Sequence, residues 1–257
     1  MVPDFIRRFA LQNLVFVAVL FPAISAADSA LIAVATNFAE VAESLVRDFE
    51  ALSEHEIRIS TGSTGKLYAQ IVNGAPYDAL LAADRENPRR LEEAEIAVAG
   101  TVFTYAVGKL ALWSPDDELI IGNGIEVLKR GNFRTLAIAN PELAPYGDAA
   151  METLKSLGLW DALQGKLVMG ENVGQAFALV ATGNAELGFV ALASVKSKRN
   201  KQPGSRWDVP AELHAAIRQD AALLEHGYDN AAAVAFLAYL KSDEARLTIA
   251  SLGYGLE

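Results

Sequence analysis

Ile57-Arg58-Ile59-Ser60-Thr61-Gly62-Ser63-Thr64-Gly65-Lys66-Leu67-Tyr68-Ala69-Gln70-Ile71 decides the fold. Ile57 to Ser60 reads as a short strand, Thr61 to Gly65 as a polar turn, and Leu67 to Asn73 as a helix that stops at Gly74. A strand that runs through a glycine-containing turn straight into a helix is half of a β-α-β unit. The same pattern recurs on both sides. Upstream, Leu31 to Ala35 is an apolar strand and Thr36-Asn37 a turn; Phe38 to Leu52 is a helix striped by Val41, Leu45, Phe49 and Leu52. Downstream, Tyr77 to Ala82 is a strand and Ala83-Asp84 a turn; Asn87 to Ala94 is a helix with Pro88 in its first turn.

From about Val102 the pattern changes. Phe103 to Val107 and Leu110 to Ser114 are strands that lead into a second unit, where Thr135 to Ala139 is a buried strand. Helices follow around Ala149 to Leu157 and from Val173 to Thr182, ending at Gly183, and Gly188 to Leu192 is a strand. Val195 to Pro210 is polar, with Lys196, Lys198, Arg199 and Lys201, and reads as an exposed, solvated loop. Asn230 to Tyr239 and Asp243 to Ser251 close the chain as two helices. Strands alternating with helices predict an α/β class with largely parallel sheets, in two lobes rather than one, with ligands bound where strands end and helices begin.

Composition narrows the function. The 257 residues are 52% hydrophobic and 21% charged, enough for a substantial core. A formal charge of -10 argues against nucleic acid, which needs a basic surface. It does not exclude an anion, because helix N-termini bind anions without cationic side chains. There is no cysteine, which removes disulfides, thiolate metal sites, cysteine nucleophiles and lipoprotein attachment. Arg7 and Arg8 precede an apolar run from Leu14 to Ile24, then Ser25, Ala26 and Ala27, so residues 1–27 read as an export signal cleaved near Ala26 or Ala27. The paired arginines resemble a twin-arginine signal, but their neighbours fit it poorly. No later stretch is long and apolar enough to span a bilayer, and the remaining chain is expected to be soluble and periplasmic.

The turns hold the chemistry. Thr36-Asn37, Ser63-Thr64, Ala83-Asp84, Asn140-Pro141 to Pro145-Tyr146-Gly147 and Gly170-Glu171-Asn172-Val173 each place unpaired N–H groups at a helix start, several beside a hydroxyl or amide. Any one would commonly be a plain helix cap; their number in both halves argues for a convergent oxyanion site. Other readings are weaker. Ser63-Thr64-Gly65-Lys66 matches the S-x-x-K motif of penicillin-binding proteins, but its companion motifs are missing. The P-loop pattern fails at Ser60 and Leu67. His55, His214 and His226 show neither metal-ligand spacing nor a triad order. Glu171 and Asp84 lie near the turns and would repel an oxyanion, so both are expected to point away. The expectation is a binding protein, not an enzyme, without a cofactor or cation site. A sensor domain of the same fold is disfavoured by the export signal and by the lack of a DNA-binding segment.

From Leu31 to Leu256 the chain resembles the periplasmic molybdate-binding proteins of ABC transporters. The resemblance is carried by Gly62-Ser63-Thr64-Gly65-Lys66-Leu67-Tyr68-Ala69-Gln70-Ile71, by Gly74-Ala75-Pro76-Tyr77-Asp78 leading to Ala82-Ala83-Asp84, by Asn140-Pro141 to Gly147, and by Gly170-Glu171-Asn172-Val173 continuing to Ala181-Thr182-Gly183-Asn184-Ala185-Glu186. It implies a type II periplasmic-binding-protein clamp, each lobe a mixed sheet flanked by helices, with the ligand in the interlobe cleft. Lobe one would be 28–106 plus 226–257 and lobe two 107–225. Carried over by motif, the oxyanion shell would be Thr36, Asn37, Ser63, Thr64, Ala83 through its N–H, Tyr146, and Val173 through its N–H. Asn37 and Thr64 stand where many members have serine. Ala191 stands where some have a tyrosine, for which Tyr146 would compensate. The implied ligand is molybdate or tungstate, bound as the oxyanion by those residues. The implied partner is the membrane permease of an ABC transporter, and the implied state a monomer. The chemistry agrees, since molybdate near neutral pH offers acceptors and no proton, whereas protonated phosphate also needs an acceptor.

Overall fold

The computed structural model describes residues 28–257; the expected export segment, 1–27, lies outside the described residues. Among the described residues, ten strands form two five-stranded sheets. The first half contributes β1 (Ser29–Ala35), α1 (Ala39–Leu52), β2 (Glu56–Gly62), α2 (Thr64–Val72), β3 (Ala79–Leu81), α3 (Glu86–Glu93) and β4 (Phe103–Gly108). The middle contributes β5 (Leu110–Ser114), α4 (Gly124–Arg130), β6 (Leu136–Ala139), α5 (Pro145–Ser156), α6 (Trp160–Leu163), β7 (Leu167–Gly170), α7 (Val173–Ala181), β8 (Leu187–Ala191), α8 (Leu192–Lys196) and β9 (Ser205–Asp208). The chain then returns through β10 (Ile217–Leu223) to α9 (Ala231–Tyr239) and α10 (Asp243–Ser251).

Sheet one has the order β2-β1-β3-β10-β4 and sheet two the order β7-β6-β8-β5-β9. Each combines three parallel strands with antiparallel partners: β10 runs against β3 and β4, and β5 against β8 and β9. The sheets are therefore mixed rather than largely parallel.

Strand β1 shows why the apolar runs are unbroken. Ala30, Ile32 and Val34 face one cluster, under α1, α9 and α10. Leu31 and Ala33 face another, under α2 and α3. A strand covered on both faces has no polar side to show. Sheet two repeats the plan. Leu136 and Ile138 of β6 pack toward Ala149, Ala150 and Leu154 of α5, while Ala137 packs toward Val180 of α7.

Three of the differences from the sequence expectation concern β10, β4 and β9. The expected division put residues 217–225 in lobe two, yet β10 pairs in sheet one, with Ile217 opposite Gly108 and Ala221 opposite Leu81. Its Arg218-Gln219-Asp220 core interrupts the apolar pattern, and those polar groups are matched only by tertiary partners. Val107 and Gly108, also placed in lobe two, complete β4 of sheet one. Likewise, Val195 to Pro210 is not loop throughout: Ser205–Asp208 is an edge strand paired with β5. Four residues on one edge carry too short a pattern to stand out.

The chain crosses between sheets twice, after Gly108 and before Ile217. Since β4 and β10 are neighbours, the two crossings run side by side, and a bridge from Val107 to Gly255 lays the C-terminal segment beside them.

Candidate functional site

All seven residues singled out from the sequence meet in one cavity between the lobes. Ala35, Thr36, Asn37, Gly62, Ser63, Thr64 and Ala83 line it from lobe one, and Ala144, Pro145, Tyr146, Asn172 and Val173 from lobe two. It has about 10 Å³ open to the centre of a water-sized sphere, room for one compact group and nothing longer. No carboxylate and no cationic side chain lines it.

Local rules explain how the chain brings these groups together. Each turn ends a strand and opens a helix, so its N–H groups point past the strand ends into the cleft. The 3-10 turn Thr36–Phe38 follows β1 and α2 follows β2. Helix α5 begins at Pro145, earlier than its apolar pattern indicates, which puts Tyr146 in the first turn. Proline has no N–H, so Tyr146 carries the first one of that helix. Asn172 caps α7 by accepting from Gln175 N at 2.9 Å, and Val173 occupies the first helical position.

The side chains divide into groups spent on the protein and groups left over. Thr36 Oγ1 donates to Gly62 O at 2.9 Å, so its hydrogen does not reach the cavity. Both hydrogens of Asn37 Nδ2 are taken, by Gln219 Oε1 at 3.0 Å and Tyr254 Oη at 3.2 Å. The Ala83 N–H, expected to face the ligand, donates to Thr64 Oγ1 at 2.9 Å. That bond occupies a lone pair of Thr64 and leaves its hydroxyl hydrogen to be given elsewhere.

Ser63 is the exception among the serine and asparagine N-caps of the described α-helices. Asn123, Asn172, Asn230 and Ser242 each accept a backbone N–H of their own helix. Ser63 is the N-cap of α2, yet its side chain caps nothing. Its Oγ is buried and has no hydrogen-bond partner. A buried hydroxyl left unpaired costs about 1–3 kcal/mol, and in a cavity wall it marks a place prepared for an external acceptor.

A polar layer lies beneath the cavity. Tyr254 Oη donates to Asn37 O at 2.6 Å, Tyr105 Oη lies 2.9 Å from Ala82 O and 3.0 Å from Gln219 Oε1, and Gln219 Nε2 donates to Tyr146 Oη at 3.3 Å. Burial pushes all three tyrosines above the ordinary phenol range, so they remain protonated donors at neutral pH. The sequence reading missed Tyr105, Gln219 and Tyr254. The one available signal was Gln219-Asp220, two polar residues inside an otherwise strand-like run.

Asp84 and Glu171 stay off the cavity wall. Asp84 accepts from Asn87 N at 2.8 Å and from Asn87 Nδ2 at 2.7 Å; burial raises its pKa and those bonds oppose the rise. Glu171 pairs with Lys66 at 3.2 Å across the lobes, both half-exposed. Further bonds across the cleft join Gly65 N to Leu143 O at 3.0 Å and Ser197 Oγ to Glu40 Oε2 at 2.6 Å. Arg199 adds a bond to Glu43 at 2.5 Å. This is the closed arrangement of the two lobes. Because the Lys66–Glu171 pair is exposed, Lys66→Ala is expected to weaken ligand binding by less than about fivefold, measured by calorimetry. Among the described residues, no cluster of three His, Cys, Asp or Glu could hold a metal cation, and no helix is long and apolar enough to cross a membrane.

Known proteins share this chain's family and fold. Residues 30–255 match the family model of the bacterial extracellular solute-binding proteins. The chain is 48% identical over 226 residues to the molybdate-binding protein ModA of Azotobacter vinelandii, covering 88% of this chain and 89% of that one. It is 41% identical over 255 residues to the molybdate-binding protein ModA of Rhodobacter capsulatus, covering 99% and 98%. The solved Azotobacter vinelandii periplasmic molybdate-binding protein superposes with a TM-score of 0.85 at 41% identity, over 89% of this chain and 99% of that one. The sulfate-binding protein SubI of Mycobacterium tuberculosis H37Rv shares the fold, with a TM-score of 0.71 at 14% identity over 88% and 86%.

Proposed function

The chain belongs to the bacterial extracellular solute-binding proteins and, within them, to the ModA molybdate-binding proteins, and on that premise we propose that it captures molybdate, and tungstate with it, in the periplasm and delivers the anion as a monomer to the permease of an ABC transporter. It is a binding protein rather than an enzyme, and the anion is its cargo rather than a cofactor. Ser63 carries the reading: a buried hydroxyl at a helix N-cap, unpartnered, in the wall of a small uncharged cavity.

The proposed shell is Thr36, Asn37, Ser63, Thr64, Ala83, Tyr146 and Val173. Ser63, Thr64 and Tyr146 supply hydroxyl hydrogens, and Val173 supplies a first-turn N–H. Thr36 and Asn37 act through the main chain at the start of their 3-10 turn, and Ala83 acts by fixing the Thr64 hydroxyl. Four chain segments that begin helical turns aim their positive ends at the same point. Molybdate and tungstate bring two negative charges and no proton, which suits such a set of donors. Sulfate is smaller and would leave the donors out of reach, and protonated phosphate brings a hydrogen for which the shell has no carboxylate acceptor. The proposed export signal, cleaved near Ala26 or Ala27, lies outside the described residues.

Calorimetric titration with molybdate, tungstate, sulfate and phosphate tests the reading. One-to-one binding of the first two, far tighter than of the others, is the expected result; no heat with any of the four overturns it. Thr64→Val keeps the shape and removes the hydroxyl. It is expected to weaken molybdate binding at least about tenfold, the worth of one hydrogen bond to a charged group. An unchanged affinity in that variant removes Thr64 from the shell.

A further inference from the structure

Gln219 is fully buried in β10 and touches cavity residues of both lobes. Its Oε1 accepts from Asn37 Nδ2, on the turn after β1, and lies 3.0 Å from Tyr105 Oη on β4. Its Nε2 donates to Tyr146 Oη, on α5 of lobe two. The space around this bond is tight: a Cβ at Gly108, on the first crossing, would collide with Tyr146 Oη and with Gln219 Nε2. Tyr254, the next hydroxyl, donates to Asn37 O and accepts from Asn37 Nδ2, and it also lies beside the Tyr146 hydroxyl.

A phenol has one hydrogen and accepts through its lone pairs. An amide nitrogen cannot accept, so Tyr146 cannot turn its hydrogen toward Gln219 Nε2. We propose that Gln219 is a positioning residue for the anion: its Nε2–H occupies Tyr146 Oη and thereby aims the Tyr146 hydrogen into the cavity, while its Oε1 holds Asn37 and the lobe-one turn in register. This rests on the oxyanion-binding reading of the cavity. One side chain on the returning strand thus couples a lobe-two donor to the lobe-one wall, and the coupling exists only when the lobes are closed.

Gln219→Glu reverses the chemistry without changing the shape. An ionised carboxylate has only acceptors, so it would draw the Tyr146 hydrogen out of the cavity and add a charge beside the anion. A protonated carboxyl donates through its hydroxyl and accepts through its carbonyl, as the amide does. Burial raises the pKa of such a glutamate toward neutrality. The groups facing position 219 are Asn37, Tyr105, Tyr146 and, through Asn37, Tyr254. Asp220, the next residue, is engaged with Thr104 Oγ1 at 2.6 Å and with Arg85 at 3.5 Å. The three tyrosines are held protonated by burial, so none of them titrates near neutral pH.

The test is calorimetry with molybdate between about pH 9 and about pH 6, on the natural protein and on Gln219→Glu. The natural protein is expected to bind with constant affinity; its failure to bind would overturn the oxyanion reading itself. Gln219→Glu is expected to bind at least about tenfold more weakly at the alkaline end and to recover to within about threefold at the acid end. A second arm places Gln219→Leu in the natural and in the Tyr146→Phe background, with folding checked by thermal melting. The expected loss is at least about tenfold in the first and under about twofold in the second, because coupled sites are not additive. A pH-independent affinity of folded Gln219→Glu, whether natural or lowered, overturns the proposal, as does an equal Gln219→Leu loss in both backgrounds.

Discussion

Ser63→Asp is expected to lower the affinity for molybdate by at least about a thousandfold while leaving the melting temperature of the ligand-free protein unchanged or slightly raised. The two halves of this outcome have separate causes. Ser63 is the N-cap of α2, with extended backbone at φ -68 and ψ 149. Aspartate is as good a cap as serine, and its charge is favourable at the positive end of a helix. The helix therefore tolerates the change. The cavity does not, because Ser63 Oγ is a buried, unpartnered group in its wall. Two unit charges about 4 Å apart repel by roughly 4 kcal/mol at an effective dielectric near 20, and a dianion doubles that. About 4 kcal/mol is already a thousandfold. Calorimetry with molybdate, alongside thermal melting without it, reads both halves. Natural-like binding in a stable variant would remove Ser63 from the shell and with it the observation on which the functional reading stands.

Gly174→Val is expected to weaken binding about a hundredfold by holding the lobes apart, with little effect on ligand-free stability. Gly174 lies in the first turn of α7, and an added Cβ would fall inside contact distance of Thr36 Cγ2 on the opposite lobe. The contact under 3 Å lies across the cleft, while within its own lobe the added Cβ meets Asn172 Oδ1 at 3.2 Å, a gap of a few tenths of an ångström to give, so each lobe still folds. Overfilling a packed contact costs about 1–3 kcal/mol, and the upper end of that range is a factor of about a hundred. Small-angle scattering supplies the second readout. Saturating molybdate is expected to contract the natural protein and to contract Gly174→Val less. A variant that closes and binds like the natural protein would show that this contact is not part of the closed state.

Much of the lobe architecture was legible. The runs Leu31–Ala35 and Leu136–Ala139 are apolar at every position because helices cover both faces of their sheets. A helix follows each run at once, and turns rich in glycine, serine and asparagine mark the junctions. The elements that stayed hidden carry weak local patterns. Strand β10 has Arg218, Gln219 and Asp220 in its middle, and β9 is four residues on an edge. Helix α5 begins four residues before the helix read from the apolar pattern, because Pro145 and Gly147 look like a loop until a helix is built through them. The mixed order of the sheets, with β10 between β3 and β4, is a long-range pairing that no local pattern carries.

The candidate site divides along the same line. By itself the sequence determined that the turns at Thr36-Asn37, Ser63-Thr64, Ala83-Asp84 and Asn172-Val173 open helices, and the family resemblance narrowed the candidate shell to Thr36, Asn37, Ser63, Thr64, Ala83, Tyr146 and Val173. The first follows from local backbone geometry, since a strand passing into a helix must expose the first amides of the helix whatever surrounds it. Only the tertiary structure decided how each donor is used. Ala83 N–H is spent on Thr64, Asn37 Nδ2 on Gln219 and Tyr254, and Thr36 Oγ1 on Gly62, while Ser63 Oγ is left over. A hydroxyl or an amide has few hydrogens, and where they go depends on the nearest acceptor, which here lies as far as 217 residues along the chain, between Asn37 and Tyr254.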